Sequence, residues 1–169
     1  MNRIVKNKCK KIKLVATDID GVWTDTKMYY TSDGEFMKSF STYDGMAVAM
    51  LFKSNFKVAI LTSEDSRIVK SRAKKLNIKE IYLNEKQKLL RIKYLAEKYH
   101  IKLEEIAYIG DDINDLDVLK EVGLSGMPSS SPIIKRVNPD IILTRKGGEG
   151  AFREFVDLIL SANDILAKY

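Results

Sequence analysis

An apolar, β-prone run, Ile12 to Ala16, leads directly into Thr17-Asp18-Ile19-Asp20-Gly21. The run lacks clean polar–apolar alternation and is closed by a turn signal, the pattern of a parallel strand buried on both faces. Such a strand needs parallel neighbours and helices over both sides of the sheet. Ligands in open α/β sheets gather at the carboxyl ends of strands, so Asp18 and Asp20 stand at a site mouth. Gly21 lets the backbone turn there. Alternation along an extended strand lets both acids point one way while Ile19 points the other. Two carboxylates that close are costly unless a cation or a shared proton relieves them. A strand ending in a solvated polar turn fits the same residues, so the rest of the chain has to supply the partners.

The rest alternates strand and helix signals, which implies a doubly wound parallel sheet, an α/β fold in one domain over the 169 residues with a core from about 12 to 160. Met1 to Lys11 reads as a loose polar lead-in. Two β-prone runs around Asp33-Gly34 predict a hairpin from about 27 to 40, projecting near the site mouth. Helices are expected over Met46–Phe52, Arg67–Leu76, Lys86–Tyr99, Leu116–Val122, Ile133–Val137 and Ala151–Leu160. Core strands are expected at Phe56–Leu61, Lys79–Leu83, Glu105–Ile109, Gly123–Met127 and Asp140–Leu143. Leu89, Leu90, Ile92 and Leu95 are the expected buried positions of the third helix. Trp23 reads as packing and His100 as a helix-terminal residue.

Polar residues collect at the strand ends. Thr62 ends the second core strand, Lys88 starts a helix, and Asp111-Asp112 end a later strand. Singly, each has a structural use: Thr62 as a helix cap, Lys88 as a solvated lysine, and Asp111, Asp112, Asn114 and Asp115 as turn residues. Together they are the parts of a phosphoryl-transfer site. A carboxylate can attack phosphorus, a hydroxyl and an ammonium can hold the transferring oxygens, and Mg²⁺ takes a few carboxylates while keeping several waters.

The order of these parts, with Asp18-Ile19-Asp20-Gly21-Val22 first and Gly110-Asp111-Asp112-Ile113-Asn114-Asp115 last, resembles the motifs of the haloacid dehalogenase superfamily. The resemblance implies that Asp18 is nucleophile and metal ligand, and that Asp20 is general acid/base, binding metal through its backbone carbonyl. It implies that Thr62 and Lys88 hold phosphate, Asp111 ligates Mg²⁺ and Asp112 supports that ligand. The hairpin, the lack of a large cap insertion and Gly147-Gly148-Glu149-Gly150-Ala151-Phe152-Arg153-Glu154 resemble the capless 3-deoxy-octulosonate 8-phosphate phosphatases. Members of that family are tetramers, with a neighbouring subunit's tail closing the site over a small phosphorylated sugar acid.

One departure bears on substrate. Ser63-Glu64 stands where octulosonate-type members carry Gly-Arg, and a glutamate there resembles members acting on nine-carbon 9-phosphates. Arg72 and Lys75, three residues apart on one helix face, match substrate-binding positions of that subgroup. The expectation is therefore a nine-carbon sugar-acid 9-phosphate phosphatase, with an octulosonate 8-phosphate phosphatase as the alternative. A phospho-acceptor signalling domain is a rival from another class. Its acidic pair precedes its acceptor aspartate, whereas here Asp111-Asp112 follow Thr62 and Lys88. A catalytically idle assembly subunit would have no use for the retained set.

Bulk properties exclude other classes. Hydrophobic residues make up 45% and charged residues 31%, which argues against disorder and against a membrane protein. The net charge of +6 comes without a nucleic-acid motif, so no nucleic-acid partner is expected. Cys9 is the single cysteine, which fits a reducing, cytoplasmic compartment. The aspartates interrupt any apolar run after the basic start, so neither a signal peptide nor a membrane span is expected.

Overall fold

The computed structural model describes residues 1–165. The chain opens on helix α1 (Arg3–Lys11) and strand β1 (Leu14–Thr17). The hairpin β2 (Tyr29–Thr31) and β3 (Gly34–Met37) follows, then α2 (Thr42–Lys53), β4 (Lys57–Leu61), α3 (Arg67–Lys75), β5 (Glu80–Tyr82) and α4 (Lys88–Tyr99). The remainder is β6 (Ile106–Ile109), α5 (Leu116–Glu121), β7 (Leu124–Met127), α6 (Ile134–Val137), β8 (Ile141–Ile142) and α7 (Ala151–Ala162). Six strands form one parallel sheet in the order β5-β4-β1-β6-β7-β8, and the hairpin pairs only with itself. The winding reverses at β1, so the crevice of a doubly wound sheet opens at the strand that carries Asp18 and Asp20.

Strand alternation divides the interior in two. Val15, Val58, Ile60, Ala107 and Ile109 face α1, α2, α3 and α7, while Leu14, Ala16, Ala59, Leu61, Ile106 and Tyr108 face α4 and α5. Both sides of β1 are dry, which fixes the register of the strand that aims the aspartates. Among the described residues no helix is long and apolar enough to cross a membrane.

Several expectations need correcting. The supposed loose lead-in is helix α1: Asn2 caps it by accepting from the Val5 N–H, and Val5 and Cys9, four apart, are buried. Polar composition hid an amphipathic stripe that packs on α7. Helix α2 begins at Thr42, before the expected start, because Ser41 caps it. Leu90 is 59% exposed, since the buried stripe of α4 runs through Lys88, Ile92, Leu95 and Ala96. His100 closes α4 in a left-handed conformation, as a helix-terminal residue. The C-terminal tail expected to close a neighbour's site includes residues 166–169, which lie outside the described residues.

The loop after β1 is held from far along the chain. Trp23 is buried, stacks on Phe152 of α7 with ring centroids 4.9 Å apart, and donates to Thr17 Oγ1 at 3.0 Å. The Gly148 N–H donates to the Val22 carbonyl at 3.1 Å, and a Cβ on Gly147 would sit 2.0 Å from the Gly21 carbonyl oxygen. Only glycine lets the two loops approach so closely.

Asp44, in the first turn of α2, joins this region to α7 by accepting from the Arg153 N–H at 2.9 Å. Its Oδ2 is buried without a partner. Burial pushes its pKa up from 3.8 to about 6, against the pull of the Arg153 N–H and of Arg145 and Arg72. The folded chain thus keeps a proton that the unfolded chain has lost. The contribution to stability is full below pH 3.8 and is lost as pH rises towards about 6. It amounts to about 3 kcal/mol at most. Asp44→Asn keeps the acceptor and removes the titration. Urea unfolding at acidic and neutral pH should show a smaller loss with rising pH in the variant than in the parent chain; equal losses would refute the assignment.

Candidate active site

Asp18 follows β1 directly, its N–H donating to the Ile109 carbonyl at 3.0 Å, which sets it at the sheet's carboxyl edge. Its Oδ1 lies 3.0 Å from Lys88 Nζ at the start of α4. The same ammonium lies 2.6 Å from Asp115 Oδ1. Lys88 is 2% exposed, so the solvated-lysine reading fails. Asp115, in the short 3₁₀ turn Ile113–Asp115 after β6, is the hub of this cluster. It also accepts from the Tyr108 hydroxyl at 2.6 Å and from the N–H groups of Asp111 and Asp112 at 3.0 and 3.3 Å. Sequence reasoning had counted Asp115 as a turn residue and given its supporting role to Asp112. Asp112 caps the 3₁₀ turn by accepting from the Ile113 N–H at 2.7 Å, with its side chain at the exposed rim.

Asp20 sits across the mouth. Its Oδ1 accepts from Thr24 Oγ1 at 3.1 Å and from Lys38 Nζ at 2.6 Å, while its Oδ2 is buried with no partner among the described residues. Lys38, just past β3, also lies 3.0 Å from Glu35 Oε1. The hairpin thus reaches the site through a lysine that sequence reasoning missed. In a projecting β-ribbon a lysine reads as solvated, and only its burial marks it out.

Thr62, after β4, is 1% exposed. It does not cap α3, a role taken by Ser66, whose Oγ accepts from the Val69 N–H at 3.2 Å. A cavity of about 220 Å³ is lined by Asp18, Asp20, Thr26, Thr62, Ser63, Glu64, Asp111, Asp112 and Asn114. A larger hollow of about 400 Å³ at the amino ends of β4 and β5 holds none of these residues. The structure therefore brings together Asp18, Asp20, Thr62, Glu64, Asp111 and Asp112, with Lys88 bonded to Asp18. It does not bring Arg72 and Lys75 to the cavity of the same chain. They line a separate hollow with Lys38, Phe40 and Arg67. Arg72 folds back along α3 to donate to the Ser41 carbonyl at 3.3 Å and to lie 5.6 Å over the Phe40 ring.

The charge balance explains what the cluster accepts. Ionised, Asp18, Asp111 and Asp115 carry three negative charges against one on Lys88. Burial and the Asp115 charge hold the Asp18 pKa well above the usual carboxylate range despite Lys88. Burial, Asp115 and Asp112 push Asp111 up to about 7. Burial opposes the charge on Lys88, but Asp18 and Asp115 outweigh it and raise its pKa. An excess of negative charge in a desolvated pocket calls for a cation. One oxygen from each of Asp18, Asp111 and Asp115 lies within 4.8 Å of the others. A Cβ on Gly21, at φ +89°, would sit 1.8 Å from Asp111 Oδ2, so glycine there keeps room for that carboxylate. All-oxygen donors around surplus charge fit a hard divalent ion such as Mg²⁺.

Comparisons with known proteins agree with this geometry. The sequence pattern of the haloacid dehalogenase-like hydrolases matches residues 51–152. A 3-deoxy-D-manno-octulosonate 8-phosphate phosphatase of Haemophilus influenzae is 38% identical over 158 residues, 94% of this chain and 88% of that protein. The crystal structure of the Moraxella catarrhalis 3-deoxy-D-manno-octulosonate 8-phosphate phosphatase, in complex with a magnesium ion, a phosphate ion and a KDO molecule, superposes with a TM-score of 0.93. It is 38% identical, covering 99% of this chain and 97% of that one. A cobalt-bound Haemophilus influenzae phosphatase of the same description gives a TM-score of 0.89 at 38% identity, covering 93% of this chain and 92% of that one. These relatives bear the eight-carbon name, so the alternative from the sequence fits better than the nine-carbon expectation.

Proposed function

The chain belongs to the haloacid dehalogenase superfamily, within its capless 3-deoxy-D-manno-octulosonate 8-phosphate phosphatase family, and is a phosphoric monoester hydrolase; from that premise we propose that its substrate is the 8-phosphate of 3-deoxy-D-manno-octulosonate. The substrate rests on the relatives 38% identical that bear that name, and the chemistry on the joining, in one small cavity, of Asp18, Asp20 and Thr62, with Lys88 bonded to Asp18. Asp18 attacks phosphorus and forms an aspartyl-phosphate. The bond to the sugar oxygen breaks, and Asp20 gives that oxygen a proton. Asp20 then takes a proton from the water that attacks the aspartyl-phosphate. Thr62 and Lys88 hold the phosphoryl oxygens, and Lys88 keeps Asp18 oriented. Asp18, Asp111 and the Asp20 carbonyl would hold Mg²⁺, with Asp115 and Asp112 supporting the Asp111 loop. The ion supplies positive charge to offset that of the phosphoryl group and the acids.

A second reading keeps one observation in its favour. Glu64 lines the cavity, where it can accept hydrogen bonds from sugar hydroxyls or an amide. That suits a nine-carbon acid 9-phosphate, with Arg72 and Lys75 of a neighbouring subunit near its carboxylate. Phosphate release with Mg²⁺ present should give a higher kcat/KM for the eight-carbon 8-phosphate than for nine-carbon 9-phosphates, and EDTA should abolish it. A higher kcat/KM for a nine-carbon substrate would reverse the choice, and activity that survived EDTA would remove the metal.

We also propose a homotetramer built on the hairpin. Met28, Tyr29, Tyr30, Phe36 and Met37 are all exposed there, with Phe36 at 68%, an apolar patch that suits a subunit interface. Light scattering at assay concentration should return the tetramer mass; a monomer would sink the idea.

A further inference from the structure

Lys38 is the least expected feature of the hairpin. The ribbon's apolar side chains lie in solvent, yet this side chain is 0% exposed. Burying an ammonium is costly unless close partners compensate it. Its partners are Asp20 Oδ1 at 2.6 Å and Glu35 Oε1 at 3.0 Å. Glu35 in turn accepts from the Ser66 hydroxyl, and Ser66 caps α3. A chain of polar contacts therefore runs from the helix start after Thr62, through the hairpin, to Asp20. At its far end the two oxygens of Asp20 differ. Oδ1 is held by Lys38 and Thr24, and Oδ2 is buried with no partner among the described residues.

We infer that Lys38 is a positioning residue for proton transfer: with Thr24 it holds Oδ1 of Asp20 and so fixes the orientation in which that carboxyl exchanges the proton. This rests on the reading of Asp20 as general acid/base. In the first step the P–O bond to the sugar breaks, its electron pair stays on the leaving oxygen, and that oxygen takes the proton from the Asp20 carboxyl. In the second, water oxygen attacks phosphorus, its proton goes to the Asp20 carboxylate, and Asp18 leaves as carboxylate. Lys38 takes part in neither bond change. It sets the direction from which the Asp20 carboxyl meets the leaving oxygen, and small misplacements of a catalytic group are costly in rate.

The test compares two substrates. The alkoxide of 3-deoxy-D-manno-octulosonate 8-phosphate needs a proton to leave, and 4-nitrophenolate does not. kcat/KM reports the steps through P–O cleavage, so it isolates the step in question. Lys38→Met should lower kcat/KM for the sugar phosphate by roughly ten- to a hundredfold and that for 4-nitrophenyl phosphate far less. In an Asp20→Asn background the same substitution should cost nothing further, because a residue that acts through Asp20 has nothing left to position. Lys38→Arg, which keeps a cation in the pocket, should fall between parent and Lys38→Met on the sugar phosphate alone, and it serves if Lys38→Met does not fold. Equal losses on both substrates, or a full further loss in the Asp20→Asn background, would overturn the inference. If Asp20→Asn itself retained sugar-phosphate turnover, the general acid/base reading would fall, and this inference with it. If Asp20→Asn were inactive on the sugar phosphate while Lys38→Met was unimpaired, only the inference would fall.

Discussion

Asp18→Asn is expected to reduce phosphate release by roughly a thousandfold or more while leaving the protein at least as stable as before. The loss of activity follows from replacing a nucleophilic carboxylate with an amide that cannot form the aspartyl-phosphate. The stability result follows from weighing two opposed effects. The substitution weakens the 3.0 Å contact with Lys88, which favours the charged Asp18. It also removes a buried charge that repels Asp115, and burial and that repulsion outweigh Lys88 in setting the Asp18 pKa. The second effect wins, because Lys88 keeps its shorter bond to Asp115. Melting curves in EDTA beside phosphate-release assays test both halves. Near-parent turnover in freshly purified variant would remove Asp18 as nucleophile, and a large drop in melting temperature would refute the charge argument.

Asp115→Ala should do the reverse to stability, although it removes a charge from the same cluster. Relief of repulsion again favours the variant. Against it stand the Tyr108 hydroxyl and the N–H groups of Asp111 and Asp112, all of which accept no substitute from alanine, and a buried Lys88 reduced to Asp18 alone. Breaking a buried ion pair and orphaning its hydrogen-bond donors costs about 3–5 kcal/mol. For a chain of this length that is a melting temperature lower by about 6–20 °C. Activity should fall too, since Asp111 loses the carboxylate that anchors its backbone. A melting temperature within a degree or two of the parent would show that the hub carries no stability. Asp18→Asn and Asp115→Ala measured side by side separate a charge that does chemistry from one that holds the site.

The sheet was legible in the sequence because its strands are short apolar runs closed by polar turns, a local signal. Asp18, Asp20, Thr62 and Asp111 were legible for the same reason: each ends such a run, and the topology brings strand ends together. Lys88 owed its place to motif order, since nothing local sets it apart from Lys86 or Lys93. What stayed hidden depends on packing between distant segments. Asp115 looks like one more acid in a turn until Lys88 and Tyr108, far away in sequence, converge on it. Lys38 looks solvated until Asp20 and Glu35 enclose it. The stripe of α1 rests on only Val5 and Cys9 among basic residues, too few for periodicity to show. Arg72 and Lys75 share a helix face as expected, but the direction of that face is set by α2 and the hairpin.

The glycine contact between the loop after β1 and the segment before α7 also orders events in time. Asp18 and Asp20 are synthesised early. The groups that lock their loop, Gly148 on Val22 and Phe152 on Trp23, follow much later, and 109 residues separate Asp44 from the Arg153 N–H it accepts. Contacts so distant cannot form until the intervening chain has been made, and closing so long a loop costs entropy. The strand that leads into Asp18 can pair with β4 and β6 while its loop still lacks its cover. The loop that carries Asp18 and Asp20 is therefore covered only once α7 has been made and has docked.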